Sequence, residues 1–272
     1  MEASGALVVC ATPIGNLADV TLRVLEELRA ADAVACEDTR HSRTLLERYD
    51  ISVPLVALHE HNERARTPSL LARIAAGDRI CLLTDAGLPA VSDPGAHLIS
   101  AAHDAGLPVV VLPGPSAVTT ALVAAGEAGG GFQFTGFLPR SAGSLDRLLQ
   151  RLDPAGLPIV AFESPRRLPA TLRHLADRDP NRRGAVCREL TKMHEEVARG
   201  TMAELAERFG ESPKGEVTIV LAAAEGGDEA PLPPAEVLAE LAGALGARRA
   251  AAVASALTGV PRNRLYREIT SR

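Results

Sequence analysis

VVCATPIGNLADVTL, residues 8–22, is an apolar, β-branched run that breaks into a polar turn and then into the helical periodicity of DVTLRVLEELRAA. Strand, turn and helix in so short a span open a βαβ unit. The turn holds one glycine, Gly15, and a proline, Pro13. Neither G-x-G-x-x-G nor G-x-x-x-x-G-K-[ST] is present, so this turn is not built to cradle a pyrophosphate.

The same alternation repeats outward from that stretch. AVACED precedes the helical run ending near Tyr49, VPLVAL precedes the segment around LLARIAA, RICLLTD precedes AHLISAAHDAG, and VVVLPG precedes SAVTTALVAAG. Five strand–helix units in a row predict a mostly parallel α/β sheet. After Gly129-Gly130-Gly131 the strands shorten (FQFTGF, PIVAFES, AVCREL, EVTIVLAAA) and a second α/β unit with a mixed sheet is expected. EGGDEAPLPP, residues 225–234, reads as a linker, and the remainder reads as helical with breaks at Gly246 and Gly259. The expected organisation is an N-terminal α/β domain over 1–114, a second α/β domain over 115–226 and a small helical module over 235–272.

The bulk properties bound the partners. With 272 residues and 46% hydrophobic content the chain can bury a large core, and no apolar run reaches the roughly 20 residues a membrane span needs. MEASGAL lacks the basic start of a secretory signal, so the cytoplasm is the expected location and no membrane partner is expected. Cys10, Cys36, Cys81 and Cys187 each sit inside an apolar run, without C-x-x-C spacing, as reduced core thiols do. The net charge of −5 is unevenly spread, with residues 136–192 and 248–272 each carrying +5 on an otherwise acidic chain. Such basic segments suit a nucleic-acid partner, although solvated arginine faces are commoner.

Ligands of a parallel sheet bind beyond the carboxyl ends of its strands. Here those tips read Thr12-Pro13-Ile14-Gly15-Asn16, Glu37-Asp38-Thr39-Arg40-His41, His59-Glu60-His61-Asn62, Thr84-Asp85-Ala86-Gly87 and Pro113-Gly114-Pro115-Ser116. No lysine lies near them along the sequence, which disfavours a polyphosphate. Asp85 suits a cationic or hydroxyl-rich ligand, and a helix starting after Ser116 offers free N–H groups. A lone strand-end Asp is more often a cap, and Pro-Gly is more often only a turn. His59-x-His61 lacks a third ligand, so no metal is expected. Gly114-Pro115-Ser116-Ala117-Val118 lacks the second glycine of a nucleophile elbow.

Taken in order, ATPIGNLADVTLR, ACEDTRHSRTLL, LHEHNE, LLTDAGLPAVSDPG, LPGPSAVTTAL, FTGFLPR, FESPRR and RELTKMHEE resemble the tetrapyrrole-methylase-like (class III) S-adenosylmethionine-dependent methyltransferases. EDTRH and HEHN resemble the branch that methylates the 2′-hydroxyl of a cytidine in the decoding region of small-subunit ribosomal RNA. The resemblance spans most of residues 6–200. It implies two α/β domains with S-adenosylmethionine in the cleft between them, a homodimer, and the small ribosomal subunit as substrate, probed most naturally as the assembled 30S particle. The turn of residues 13–16 would then wall a donor cleft.

Carried over position by position, the resemblance gives donor contacts at Pro13, Asp85, Ala86, Gly87, Leu88, Ser116, Ala117, Phe162 and Leu190. The family more often has Thr and Gly where this chain has Leu88 and Ala90, and a lysine-rich stretch where this chain has SAGS after FLPR. A ribose hydroxyl must lose its proton, and the candidate bases are Asp38 and His59, with Glu37, Glu60 and His61 as alternatives. RNA contacts are expected from Arg40, Arg43, Asn62, Arg140, Arg166 and Lys192, joined by Arg147, Arg151, Arg167, Arg248, Arg249, Arg262 and Arg264. Aromatic residues are only 3% of the chain, so phosphate and ribose contacts should outweigh stacking. A tetrapyrrole or protein acceptor on the same fold is the alternative. A dinucleotide-dependent oxidoreductase lacks its glycine fingerprint, and a non-catalytic RNA binder leaves five decorated tips idle.

Overall fold

The structure, a computed structural model, describes residues 5–224 and 232–271; residues 225–231 of the expected linker, and with them the end of the expected second domain, lie outside that range. The chain divides into two compact units. The first runs to Thr120 and also includes Glu189–Glu195, and the second holds Ala121–Arg188 together with the residues from Glu196 onward.

In the first unit, β1 (Ala6–Cys10), β2 (Ala33–Cys36), β3 (Leu55–Ala57), β4 (Arg79–Leu83) and β5 (Val109–Leu112) form one parallel sheet in the order β3-β2-β4-β1-β5. Both faces are buried along β1, β2 and β4, which is why these strands are continuously apolar rather than alternating. Val8, Cys10, Val34, Cys36, Cys81 and Leu83 meet α1 (Leu22–Ala30) and α2 (Thr39–Arg48) on one face. On the other face, Leu7, Val9, Ala35, Ile80 and Leu82 meet α3 (Glu63–Ala75) and α4 (Ala96–Asp104). The neighbours β1 and β4 thus send their following helices to opposite faces. That divergence opens a crevice at the carboxyl ends of those two strands. The four cysteines are buried free thiols.

Helix α5 (Ala117–Ala125) follows β5, and the division between the units falls inside it. The second unit holds β6 (Gln133–Phe137), α6 (Ala142–Leu152), β7 (Ile159–Glu163), α7 (Leu168–Arg178), β8 (Arg183–Arg188), β9 (Glu196–Thr201), α8 (Met202–Arg208) and β10 (Val217–Leu221). Its sheet is mixed, in the order β6-β7-β10-β8-β9, with β6 and β7 parallel and the other pairs antiparallel. Leu145, Leu149, Leu168, Leu172, Leu175, Met202 and Leu205 cover one face, over Ile159, Ala161, Val186, Ile219 and Leu221.

The C-terminal helices α9 (Ala235–Leu245), α10 (Ala247–Thr258) and α11 (Arg262–Thr270) have a core of their own, built from Leu238, Ala251, Ala254, Val260 and Leu265. They break at Gly246 and Gly259, as the sequence predicts. Two α/β sheets, one parallel and one mixed, followed by helices, are the expected fold class.

Candidate functional site

The tips of the first sheet are tied to one another. Thr12 and Gly87 exchange backbone hydrogen bonds of 2.8 and 3.1 Å, and the Thr12 hydroxyl donates to the Thr84 carbonyl at 3.0 Å, so the turn after β1 is pinned to the turn after β4. Gly87 has φ +80°, and a β-carbon there would stand 3.8 Å from Ile14 and from the Pro115 carbonyl, which brings in the tip after β5. The Asp38 N–H donates to Asp85 Oδ1 at 3.3 Å, which brings in the tip after β2. Glu37 is within electrostatic reach of both Asp85 and His59, the last at the tip after β3. All five tips therefore share one patch of the carboxyl edge, and Thr12 and Thr84, which open two of those tips in the sequence but receive no role there, hold its centre.

The question raised by Gly15 is answered by a segment far along the chain. A side chain at Gly15 would collide with Leu190, Thr191 and Lys192, and the Asn16 N–H donates to the Thr191 hydroxyl at 3.0 Å. The glycine lets residues 189–195 lie against the turn. Leu190 is buried there, and Lys192 pairs with Glu189 at 2.9 Å.

The carboxylates at the edge differ in character. Asp38 caps α2 through the Arg40 N–H (2.8 Å) and forms a forked pair with the Arg40 guanidinium (3.1 and 2.7 Å). Those bonds to Arg40 hold it well below the usual carboxylate range. Glu37 moves the other way: partial burial, reinforced by the negative charges of Asp85 and Asp38, raises it. His59 is half-buried, Glu60 and His61 are exposed, and the two imidazoles stand edge to face, 6.1 Å apart. Among the described residues no group of three or more His, Cys, Asp or Glu is arranged to hold a metal ion.

Several expected substrate contacts have internal partners. Asn62 Oδ1 accepts from the His59 N–H at 2.9 Å and its Nδ2 donates to the Ala57 carbonyl, so this side chain shapes the turn that carries the histidines. In the second unit the Glu163 carboxylate, buried, accepts from both Nε and Nη2 of Arg167 (2.9 and 3.0 Å) and from the Thr171 hydroxyl, while Arg167 Nη2 also donates to the Leu138 carbonyl at 2.6 Å. Arg43, Arg140 and Arg166 are exposed. Phe162 is half-buried on β7, packed against Phe134 and Phe137.

The patch also fits a ligand of the expected kind. Thr84 Oγ1 is buried without a hydrogen-bond partner, Asp85 keeps a carboxylate at the same tip, and Ala86, Gly87 and Leu88 continue the turn. Pro13 is buried beneath it, and Ser116 and Ala117 stand at the start of α5. Comparison with known proteins agrees: residues 6–206 match the Tetrapyrrole (Corrin/Porphyrin) Methylases.

The chain belongs to the tetrapyrrole methylase family. Within that family it is 44% identical over 267 residues to the ribosomal RNA small subunit methyltransferase I of Mesorhizobium japonicum, covering 97% of this chain and 91% of the relative. The enzyme of the same name from Thermotoga maritima is 40% identical over 222 residues, which is 81% of this chain and all of the relative. Residues 228–269 match the RsmI C-terminal HTH domain, a stretch that holds α9 and α10 and nearly all of α11. The crystal structure of uroporphyrin-III C-methyltransferase from Thermus thermophilus superposes with a TM-score of 0.57 at 22% identity, over 82% of this chain and 96% of that one, and shows the shared fold. The family assignment makes the chain a methyltransferase, and among the described residues no helix is long and apolar enough to cross a membrane.

Proposed function

We propose that this chain transfers a methyl group from S-adenosylmethionine to the 2′-hydroxyl of a cytidine in small-subunit ribosomal RNA, acting on the assembled 30S particle in the cytoplasm as a homodimer. The observation that carries the reading is the near-full-length likeness to small-subunit rRNA methyltransferases, together with five polar tips drawn into one patch. When bound, S-adenosylmethionine supplies an electrophilic methyl group on a sulfonium. Asp85 offers a carboxylate to its hydroxyl or ammonium groups, Thr84 an unpartnered hydroxyl, and the first N–H groups of α5 behind Ser116 and Ala117 a set of donors. Pro13, Ala86, Gly87, Leu88 and Leu190 supply backbone and apolar walls, and the family resemblance adds Phe162 as a donor contact.

Methyl transfer is an in-line displacement, so alignment contributes most, up to about 7–11 kcal/mol. Removing the hydroxyl proton contributes a further 10²–10⁴-fold, to order of magnitude. Of the two adjacent carboxylates, Asp38 is committed to Arg40 and held acidic, whereas partial burial and the neighbouring negative charges raise Glu37. Glu37 is therefore the base we assign, with His59 beside it. Arg43, Arg140, Arg166 and the C-terminal Arg248, Arg249, Arg262 and Arg264 contribute phosphate contacts.

The test is transfer of labelled methyl to small ribosomal subunits from a strain lacking the gene, followed by mass spectrometry of the nucleosides. A 2′-O-methylated cytidine supports the reading. No incorporation, with donor binding intact, sends the search to tetrapyrrole or protein acceptors.

A further inference from the structure

Strand β6 reads QFTGF, and its register against β7 slips. Phe134 faces Val160 and Phe137 faces Phe162, so three steps along β6 match two along β7. The extra residue is accommodated where Gly136 takes φ +67°, a left-handed conformation open to glycine. Without the bulge, the odd spacing would put Phe134 and Phe137 on opposite faces. With it, both join Phe162, with ring centroids 5.1 and 5.6 Å away and planes 70° and 61° apart. This is the face opposite Ile159 and Ala161, which belong to the helix-covered core.

The result is costly unless it is used. The chain has five phenylalanines, two tyrosines and no tryptophan, yet three phenylalanines gather here and Phe137 remains 60% exposed. The backbone that follows is anchored: Arg167, held by the buried Glu163, bonds the Leu138 and Pro139 carbonyls at 2.6 and 3.3 Å. Next to that anchor stand the exposed Arg140 and Arg166. A rigid aromatic edge beside unburied guanidinium groups is what an unstacked nucleobase and its phosphates require.

We propose that Phe137, backed by Phe162 and Phe134, is a stacking ledge for a base of the RNA substrate, with Arg140 and Arg166 on the flanking phosphates. The inference rests on the rRNA reading above. It gives the bulge at Gly136 a purpose, which is to turn Phe137 onto the aromatic face.

The test uses the full chain carrying Phe137→Ala, Phe137→Leu or Phe137→Trp. Binding to small ribosomal subunits and to labelled poly(C) is measured alongside donor affinity by calorimetry and molecular mass by light scattering. Phe137→Ala and Phe137→Leu should weaken RNA binding about 5- to 100-fold, while Phe137→Trp restores it and donor affinity and mass stay unchanged. The proposal is overturned if Phe137→Leu binds RNA like wild type, since apolar packing would then suffice. It is equally overturned if donor affinity falls in step, which assigns the ledge to the donor, or if the mass changes, which assigns it to a second copy of the chain. Wild-type protein that binds poly(C) through Phe137 but does not methylate subunits would remove the rRNA reading and leave the ledge standing.

Discussion

Glu37 and Asp38 are adjacent carboxylates with opposite fates, and the difference lies in which neighbours reach them. Asp38 meets a guanidinium and a helix N-terminus, while Glu37 meets burial and the negative charge of Asp85. A base must be deprotonated to act, so turnover should rise with pH through a value above the ordinary carboxylate range and then level off. Glu37→Gln should lower turnover by about 10²–10⁴-fold and lose that rising limb, whereas Asp38→Asn should keep the limb; pH–rate profiles of the three proteins decide it. Ala90 carries a different prediction. It sits at φ +71° in the turn after β4, and an alanine there costs about 1 kcal/mol or more. Against the extra chain entropy of glycine, Ala90→Gly should still gain up to about 1 kcal/mol, seen as a melting temperature about 2–4 °C higher.

At the scale of elements, the turn after β4 is held from behind by α3. Glu63 Oε1, buried, accepts from the Gly95 and Leu98 N–H groups at 3.1 and 3.0 Å, capping α4 where the turn ends. Glu63→Ala leaves those donors unpaired and should cost about 1–3 kcal/mol in thermal unfolding and weaken donor binding; Glu63→Gln, which keeps an acceptor, should recover most of both. The strand–helix alternation and the five tips were legible because each is local: periodicity, then a polar turn. Partners across the fold were not. Glu63 reads as one more acid in HEHNE until α4 is in place, and Gly15 makes sense only against Thr191, which lies 175 positions beyond its neighbour Asn16. The pairing of Arg167 with Glu163 was open to the i,i+4 rule, yet two adjacent arginines after a proline read more readily as an RNA contact. The bulge in β6 stayed hidden because QFTGF fits an ordinary strand until the register against β7 is known.

Across the whole molecule, charge is concentrated where sequence counting placed it, and the C-terminal helices give it a surface. On α11, Arg262, Asn263, Tyr266, Arg267 and Thr270 are exposed and share one face, while Leu265 points into the module core. Replacing Arg262 and Arg267 together by alanine should weaken subunit binding and reduce the slope of log affinity against log salt by about 1.4–1.8, with donor affinity unchanged; binding titrations across a salt series measure both. The T. maritima relative is matched along its entire length by 222 residues, so about 50 residues of this 272-residue chain have no counterpart in it, in keeping with a module that adds to the core enzyme. The seven residues from Glu189 to Glu195 carry a consequence for how the protein is born. They complete the turn at Gly15, but they leave the ribosome some 75 residues after Thr120, the end of the first stretch of their own unit. At about 5–20 residues per second the nascent first sheet waits roughly 4–15 s for them. During that interval the turn at Gly15 lacks the segment that packs against it, so the first unit can be completed only after β6, β7 and β8 have been made.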